Sequence, residues 1–299
     1  MCRLCINNCP RMDLHLTNRE KKDAIKSFQE LIQYETVSSI AVSNNSYNTC
    51  AQWILKELHT LQVNAHLIKE SIDGKPIVVA TFLGQDMDLP GVLFNAHYDV
   101  VPAITEYWTI PPFEGVIKDN RLYGRGTQDM KCVVAQYIVA IKKMRRSGYL
   151  PKRNLFYTFV PDEEIGGAHG MDILISSDWF KEINIGLAFD EGLATESNDT
   201  YSIFYGERIP WWVHVLASGN TGHASRFIEN TAVEQMVGVA NKALEFRQEQ
   251  KDLLHGAGSS VSVNNSNNSN SNNEDESTTN TNNNINGVLC SDVVACAHV

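Results

Sequence analysis

Three short apolar runs in this sequence end in side chains that can bind a metal or move a proton. Leu93-Phe-Asn-Ala leads into His97-Tyr-Asp99, Phe159-Val-Pro into Asp162-Glu163-Glu164, and Leu187-Ala-Phe into Asp190-Glu191. A fourth acid, Asp129, lies in GRGTQDMK at the head of another apolar stretch. Each has an ordinary reading by itself: a satisfied core histidine at His97, a helix cap or turn at Asp190, a solvated pair at Glu163-Glu164. Adjacent carboxylates just after a buried strand are harder to dismiss. They repel each other near low dielectric, and a cation removes that penalty. An imidazole with carboxylates and no thiolate is a borderline-hard donor set, suited to Zn2+, Co2+ or Mn2+.

Such side chains need elements to position them. Asn18 followed by REKKDAIKSFQELIQY reads as a capped amphipathic helix, with Ile25, Phe28, Leu31 and Ile32 on one face. A second helix fits Tyr47 to Leu61, burying Ala51, Ile54, Leu55 and Leu58. Strand-like runs cover Val63–Ile68, Pro76–Leu83, Gly91–Asn95, Asn154–Val160 and Ile185–Phe189. Asp119-Asn120 marks a turn between two short strands. Gln128–Met144 reads as a helix, apolar nearly all round between Val133 and Ile141 and so buried on more than one side. Strands alternating with helices predict a layered α/β core with a largely parallel sheet. In such sheets ligands bind beyond the carboxyl ends of the strands, where the His97, Glu163-Glu164 and Asp190 segments all end.

The pattern changes after Tyr201. Tyr201–Tyr205 and Trp211–Ala217 look like strands, and Thr231–Gln250 like an amphipathic helix with Val233, Met236, Val237, Ala240 and Leu244 on one face. This predicts the start of a second, α+β domain. Asn264–Asn286 is almost entirely Asn, Ser and Thr, which buries too little apolar surface to fold.

Composition narrows the function classes. In 299 residues, Lys plus Arg number 25 against 35 Asp plus Glu, a net charge of −10 that gives no footprint for nucleic acid or anionic membrane. No apolar run approaches the length of a membrane span, and MCRLCINNCPRMDLH has no signal-peptide core. A cytoplasmic location is the expectation. Cys50 and Cys132 sit in apolar helical patterns and read as core. Cys2, Cys5 and Cys9 lack a second pair at zinc-finger spacing and read as part of an N-terminal extension.

The motifs HYDVVP, GRGTQDMK, FVPDEEIGG and AFDEG resemble the co-catalytic zinc aminoacylase and carboxypeptidase family, and ERIPWW and TGHASRF are similar to its aminoacylases. The resemblance covers about residues 20 to 263. It implies an extension over 1–18, an α/β zinc-hydrolase catalytic domain over 19–207, a partial α+β dimerisation (lid) domain over 208–263 and an Asn-rich tail over 264–299. It implies hydrolysis of N-acyl-L-amino acids by two Zn2+ per subunit in a homodimer. His97 and Asp190 would bind the first zinc, Asp129 would bridge and Glu164 would bind the second. Asp99 would orient the imidazole and Glu163 would be the general base. His223, by itself a loop or helix-cap histidine, would hydrogen-bond the developing oxyanion in the partner subunit's site.

One part of the family pattern has no match. The second zinc normally takes a further histidine from the C-terminal part of the catalytic domain, and only His255 and His298 follow His223 here. The expectation is a C-terminally incomplete chain with an incomplete second site. Its rivals are a dipeptidase or carboxypeptidase on the same scaffold and a catalytically inactive member.

Overall fold

The computed structural model describes residues 15–193, 202–204 and 213–258, together with the backbone of 297–298. The chain divides into two units, one formed by Met1–Phe204 with Leu289–Val299 and the other by Tyr205–Val288. The N-terminal cysteines, Trp211, Trp212 and the Asn-rich segment lie outside the described residues.

The first unit opens with helix α1 (Asn18–Ile32). Its cap is Thr17 rather than Asn18. The Thr17 hydroxyl accepts from the Glu20 amide at 3.2 Å, and the Glu20 carboxylate accepts from the Thr17 amide at 2.8 Å. This reciprocal pair satisfies two of the amides that a helix start leaves free. Helix α2 (Ser46–Thr60) follows, then strands β1 (Asn64–Leu67), β2 (Val78–Phe82) and β3 (Gly91–His97). A hairpin of β4 (Val116–Lys118) and β5 (Arg121–Tyr123) turns through Asp119 and Asn120, whose φ values of 52° and 58° suit a two-residue loop matched to strand twist. Backbone at Ala297–His298 (β8) pairs with β5. Helix α3 (Lys131–Ser147), strand β6 (Leu155–Val160), the short helices α4 (Met171–Ser176) and α5 (Asp178–Glu182), and β7 (Ile185–Phe189) complete the unit.

The main sheet has the order β1-β2-β6-β3-β7. It is mixed rather than largely parallel: β1–β2 and β2–β6 are antiparallel, β6–β3 and β3–β7 parallel. The parallel part is what the site needs. β3 lies between β6 and β7 with the same direction, so the three strands that lead into acidic or imidazole side chains end side by side.

Strand periodicity distributes the core. Val78, Ala80 and Phe82 face a cluster with Ile54 and Leu58 of α2 and Val134, Ile138 and Ile141 of α3. Ile77, Val79 and Val160 face the opposite side, against Leu174 of α4 and the flanks of Trp179 and Phe180. Helix α3 buries one broad face, while Gln136 and Ala140 stay exposed. Its basic end holds onto neighbours: Arg146 pairs with Glu20 at 3.2 Å, and Arg145 lies 4.4 Å from the Phe82 ring centre. Cys50 is buried and Cys132 half-buried.

In the second unit, helix α6 (Ala232–Gly258) starts on its own capping pair, Thr231 with Glu234. Its apolar residues do not face a core. Val233 is 72% exposed and Leu244 61%, and Met236 and Val237 line an open groove with Val215. The described residues 202–204 and 213–217 form no strand, where the alternating pattern predicted two. The rest of those two stretches lies outside the described residues.

Candidate active site

His97 ends β3 and is 1% exposed, so its ring orientation is set by what it touches. Nδ1 lies 3.0 Å from the Asp99 carbonyl oxygen and 3.4 Å from its carboxylate, which leaves Nε2 facing outward. Around Nε2 stand Asp129 at 3.0 Å, Glu191 at 3.4 Å and Glu163 at 3.7 Å. Donor atoms of His97, Asp129 and Glu164 converge to within 4.8 Å of one another, as do those of His97, Glu163 and Glu191. One imidazole and four carboxylates thus share one place at the ends of three parallel strands.

The charges are out of balance there. Burial pulls the His97 imidazole down, but hydrogen bonds to Asp129, Asp99 and Glu191 carry it well above the ordinary histidine range. The same hydrogen bond with His97 lowers Asp129. Burial raises Glu163 and Glu191, and raises Glu164 to about 7, with Asp129 and Glu163 adding repulsion. Acids crowded this way around one ring fit a divalent cation, which replaces their mutual repulsion with attraction.

The buried Asp99 carboxylate organises the floor of the site. It accepts from the Ser38 hydroxyl at 2.7 Å and from the backbone amides of Glu163 at 3.1 Å and Glu164 at 3.2 Å. One side chain therefore fixes both the imidazole and the turn that carries two of the acids. Lys131 lies fully buried in the same region, its ammonium donating to the Tyr34 carbonyl at 2.5 Å. Burial draws it down to about 8, against the opposing pull of Asp99.

Asp190 does not join the cluster. It accepts from Asn95 Nδ2 at 2.8 Å, and Asn95 Oδ1 accepts from the Thr158 hydroxyl at 2.7 Å. The reason is register. Phe94 pairs with Phe189, and Asn95 with Thr158, so a polar row runs across β6, β3 and β7 one step beneath His97. Glu191, one residue further on, is the acid that reaches the imidazole. The signal was present in the sequence as a second acidic pair after a strand, like Glu163-Glu164. Asn95→Asp is expected to destabilise the fold by roughly 3 kcal/mol at pH 7, because it removes the donor and sets two carboxylates face to face. Urea denaturation checks it, and a wild-type midpoint contradicts the row.

His223 lies in the second unit, in a local turn. Its Nδ1 is 2.8 Å from the Ser225 hydroxyl and accepts the Ser225 amide at 3.2 Å. A neutral ring bonded this way carries its proton on Nε2.

A model of peptidase family M20/M25/M40 matches residues 93–200, the stretch that runs from β3 past β7. Aminoacylase-1 of Dictyostelium discoideum is 44% identical over 211 residues, covering 70% of this chain and 51% of that protein. Over residues 93–200 the chain is similar to peptidase family M20/M25/M40. Aminoacylase-1 of Homo sapiens is 43% identical over 183 residues, covering 60% of this chain and 44% of the human protein. The chain spans about half the length of the curated relatives it matches. The fold is similar to that of the solved structures of the dipeptidase Dug1p from Saccharomyces cerevisiae (TM-score 0.51, 24% identity, 58% of this chain, 39% of that one) and human carnosine dipeptidase 1 (TM-score 0.51, 20% identity, 58% and 39%). Among the described residues, no helix is long and apolar enough to cross a membrane.

Proposed function

We propose that this chain is a zinc-dependent amidohydrolase that cleaves N-acyl-L-amino acids to a carboxylate and a free amino acid. The observation that carries the reading is the convergence of Asp129, Glu163, Glu164 and Glu191 on the outward Nε2 of a buried, oriented His97. The identity to aminoacylase-1 supports the substrate class. His97, Asp129, Glu164 and Glu191 are the side chains that would hold the metal. Glu191 takes the role that sequence reasoning gave Asp190.

A divalent ion held there acidifies water and polarises the acyl carbonyl when bound. The remaining work belongs to the chain's own side chains. Glu163 accepts a proton from the attacking water as the water oxygen bonds to the acyl carbon. It then returns that proton to the amide nitrogen as the C–N bond breaks. Asp99 keeps the imidazole and the Glu163 turn in fixed register during both steps. His223, protonated on Nε2, is a suitable donor to the developing oxyanion, and we assign it to the partner subunit's site in a homodimer.

The test is metal content per chain, with N-acetyl-L-methionine and an unblocked dipeptide assayed on the same sample. Bound zinc with turnover of acetyl-methionine is the expected result, and His223→Ala is expected to slow turnover without loss of metal. Faster turnover of the dipeptide replaces the aminoacylase reading with a dipeptidase one. Bound metal without turnover of either leaves a metal-binding protein on an M20 fold.

A further inference from the structure

The turn that carries Glu163 and Glu164 hangs from a buried carboxylate to which the mechanism gives no task. Asp162 follows β6 with a left-handed backbone (φ 61°) and is 1% exposed. Both of its side-chain oxygens are engaged. Oδ1 accepts from the Tyr47 hydroxyl at 2.8 Å, and Oδ2 accepts from the Lys75 ammonium. His169 Nδ1 lies 3.4 Å from the same Oδ2 and 2.9 Å from Lys75 Nζ. The Asp162 carbonyl accepts from the amides of Ile165 at 3.3 Å and Gly167 at 2.8 Å, closing the turn on itself.

Each partner comes from a different part of the fold. Tyr47 lies in the first turn of α2 and packs edge-on against Tyr98, ring centres 5.5 Å apart. Tyr98 is the residue between His97 and Asp99, and its hydroxyl donates to the carbonyl of Pro76, next to Lys75. From the other side, Asp99 receives the Glu163 and Glu164 amides. Two buried carboxylates thus grip one turn, and both grips lead back to the strand end that carries His97.

We propose that Asp162 is a positioning residue, and that its clasp by Lys75 and Tyr47 sets where Glu163 and Glu164 stand relative to His97. A buried carboxylate that loses its cation must find water or another donor, and the nearest route is to shift the turn it anchors. The inference rests on the reading of Glu164 as a metal donor.

The experiment is a Co2+ titration of the full chain followed by visible absorption. It compares wild type with Lys75→Met, Lys75→Arg, Tyr47→Phe, Asp162→Asn and Glu164→Gln. Lys75→Met and Asp162→Asn are expected to weaken Co2+ binding about 10- to 100-fold and to change its spectrum, as loss of an outer support does in metal sites. Lys75→Arg is expected to recover most of the affinity. Tyr47→Phe keeps the ring and carries the test if Asp162→Asn does not fold. A folded Lys75→Met or Tyr47→Phe chain with a lower melting temperature but wild-type Co2+ affinity and spectrum overturns the clasp. Glu164→Gln binding like wild type overturns the reading of the site instead. Amide exchange at Glu163, Glu164 and Gly167 then decides the clasp without metal: faster exchange in Lys75→Met supports it, and unchanged exchange overturns it.

Discussion

Glu163→Gln is expected to lower hydrolysis of N-acetyl-L-methionine by about 100- to 10,000-fold while the metal content stays at the wild-type level. Glutamine keeps the size and the backbone amide that Asp99 holds at 3.1 Å, so the turn stays in place. What it lacks is a basic oxygen to receive the proton from water. Glu163 stands 3.7 Å from His97 Nε2, further than Asp129 at 3.0 Å or Glu191 at 3.4 Å, and its side chain is 49% exposed, open to an incoming water. Initial rates on metal-loaded protein, with metal content on the same sample, check it. Full activity in Glu163→Gln removes Glu163 as the base. Loss of metal together with activity makes it a ligand instead.

The second large effect separates two neighbouring acids. Glu191→Gln is expected to weaken zinc binding by about 10- to 100-fold or more, whereas Asp190→Asn leaves it within a few-fold of wild type. Glu191 lies 3.4 Å from the imidazole Nε2, whereas Asp190 is tied to Asn95 at 2.8 Å. Competition with a chromophoric chelator measures both variants. The reverse order, with Asp190→Asn the more damaging, restores Asp190 as the donor and makes the Asn95 contact a feature of the metal-free chain.

These two acids also mark how far the sequence could be read. His97, Asp129, Glu163 and Glu164 were legible because each follows an apolar run or opens an apolar helix, and such runs are local features. The choice between Asp190 and Glu191 was not legible. Successive side chains on a strand alternate faces, and which one meets His97 depends on how β7 pairs with β3. The same holds for Asp162, which the sequence places in one acidic cluster with Glu163 and Glu164. Only the left-handed backbone at Asp162 and its partners Tyr47 and Lys75, 115 and 87 residues away, separate it from them.

The elements of the first unit were set locally. Helices α1, α2 and α3 and strands β2, β3, β6 and β7 follow from apolar spacing and from turn and cap residues, most within a residue or two of the expected ends. Thr17 displaced Asn18 as the cap because its hydroxyl and the Glu20 carboxylate form a reciprocal pair, and threonine and asparagine are close competitors at that position. The alternating pattern in 213–217 formed no strand among the described residues.

By itself, then, the sequence marked the acidic and imidazole side chains and the strand ends that carry them, because hydrophobic periodicity and residue type act over a few neighbours. Tertiary structure decided the rest. It placed β1 and β2 antiparallel beyond β6, making the sheet mixed, and brought β3 between two parallel neighbours. It chose which acid of each adjacent set faces the imidazole. Those outcomes depend on strand register and on buried partners distant in sequence, and no local pattern encodes either one.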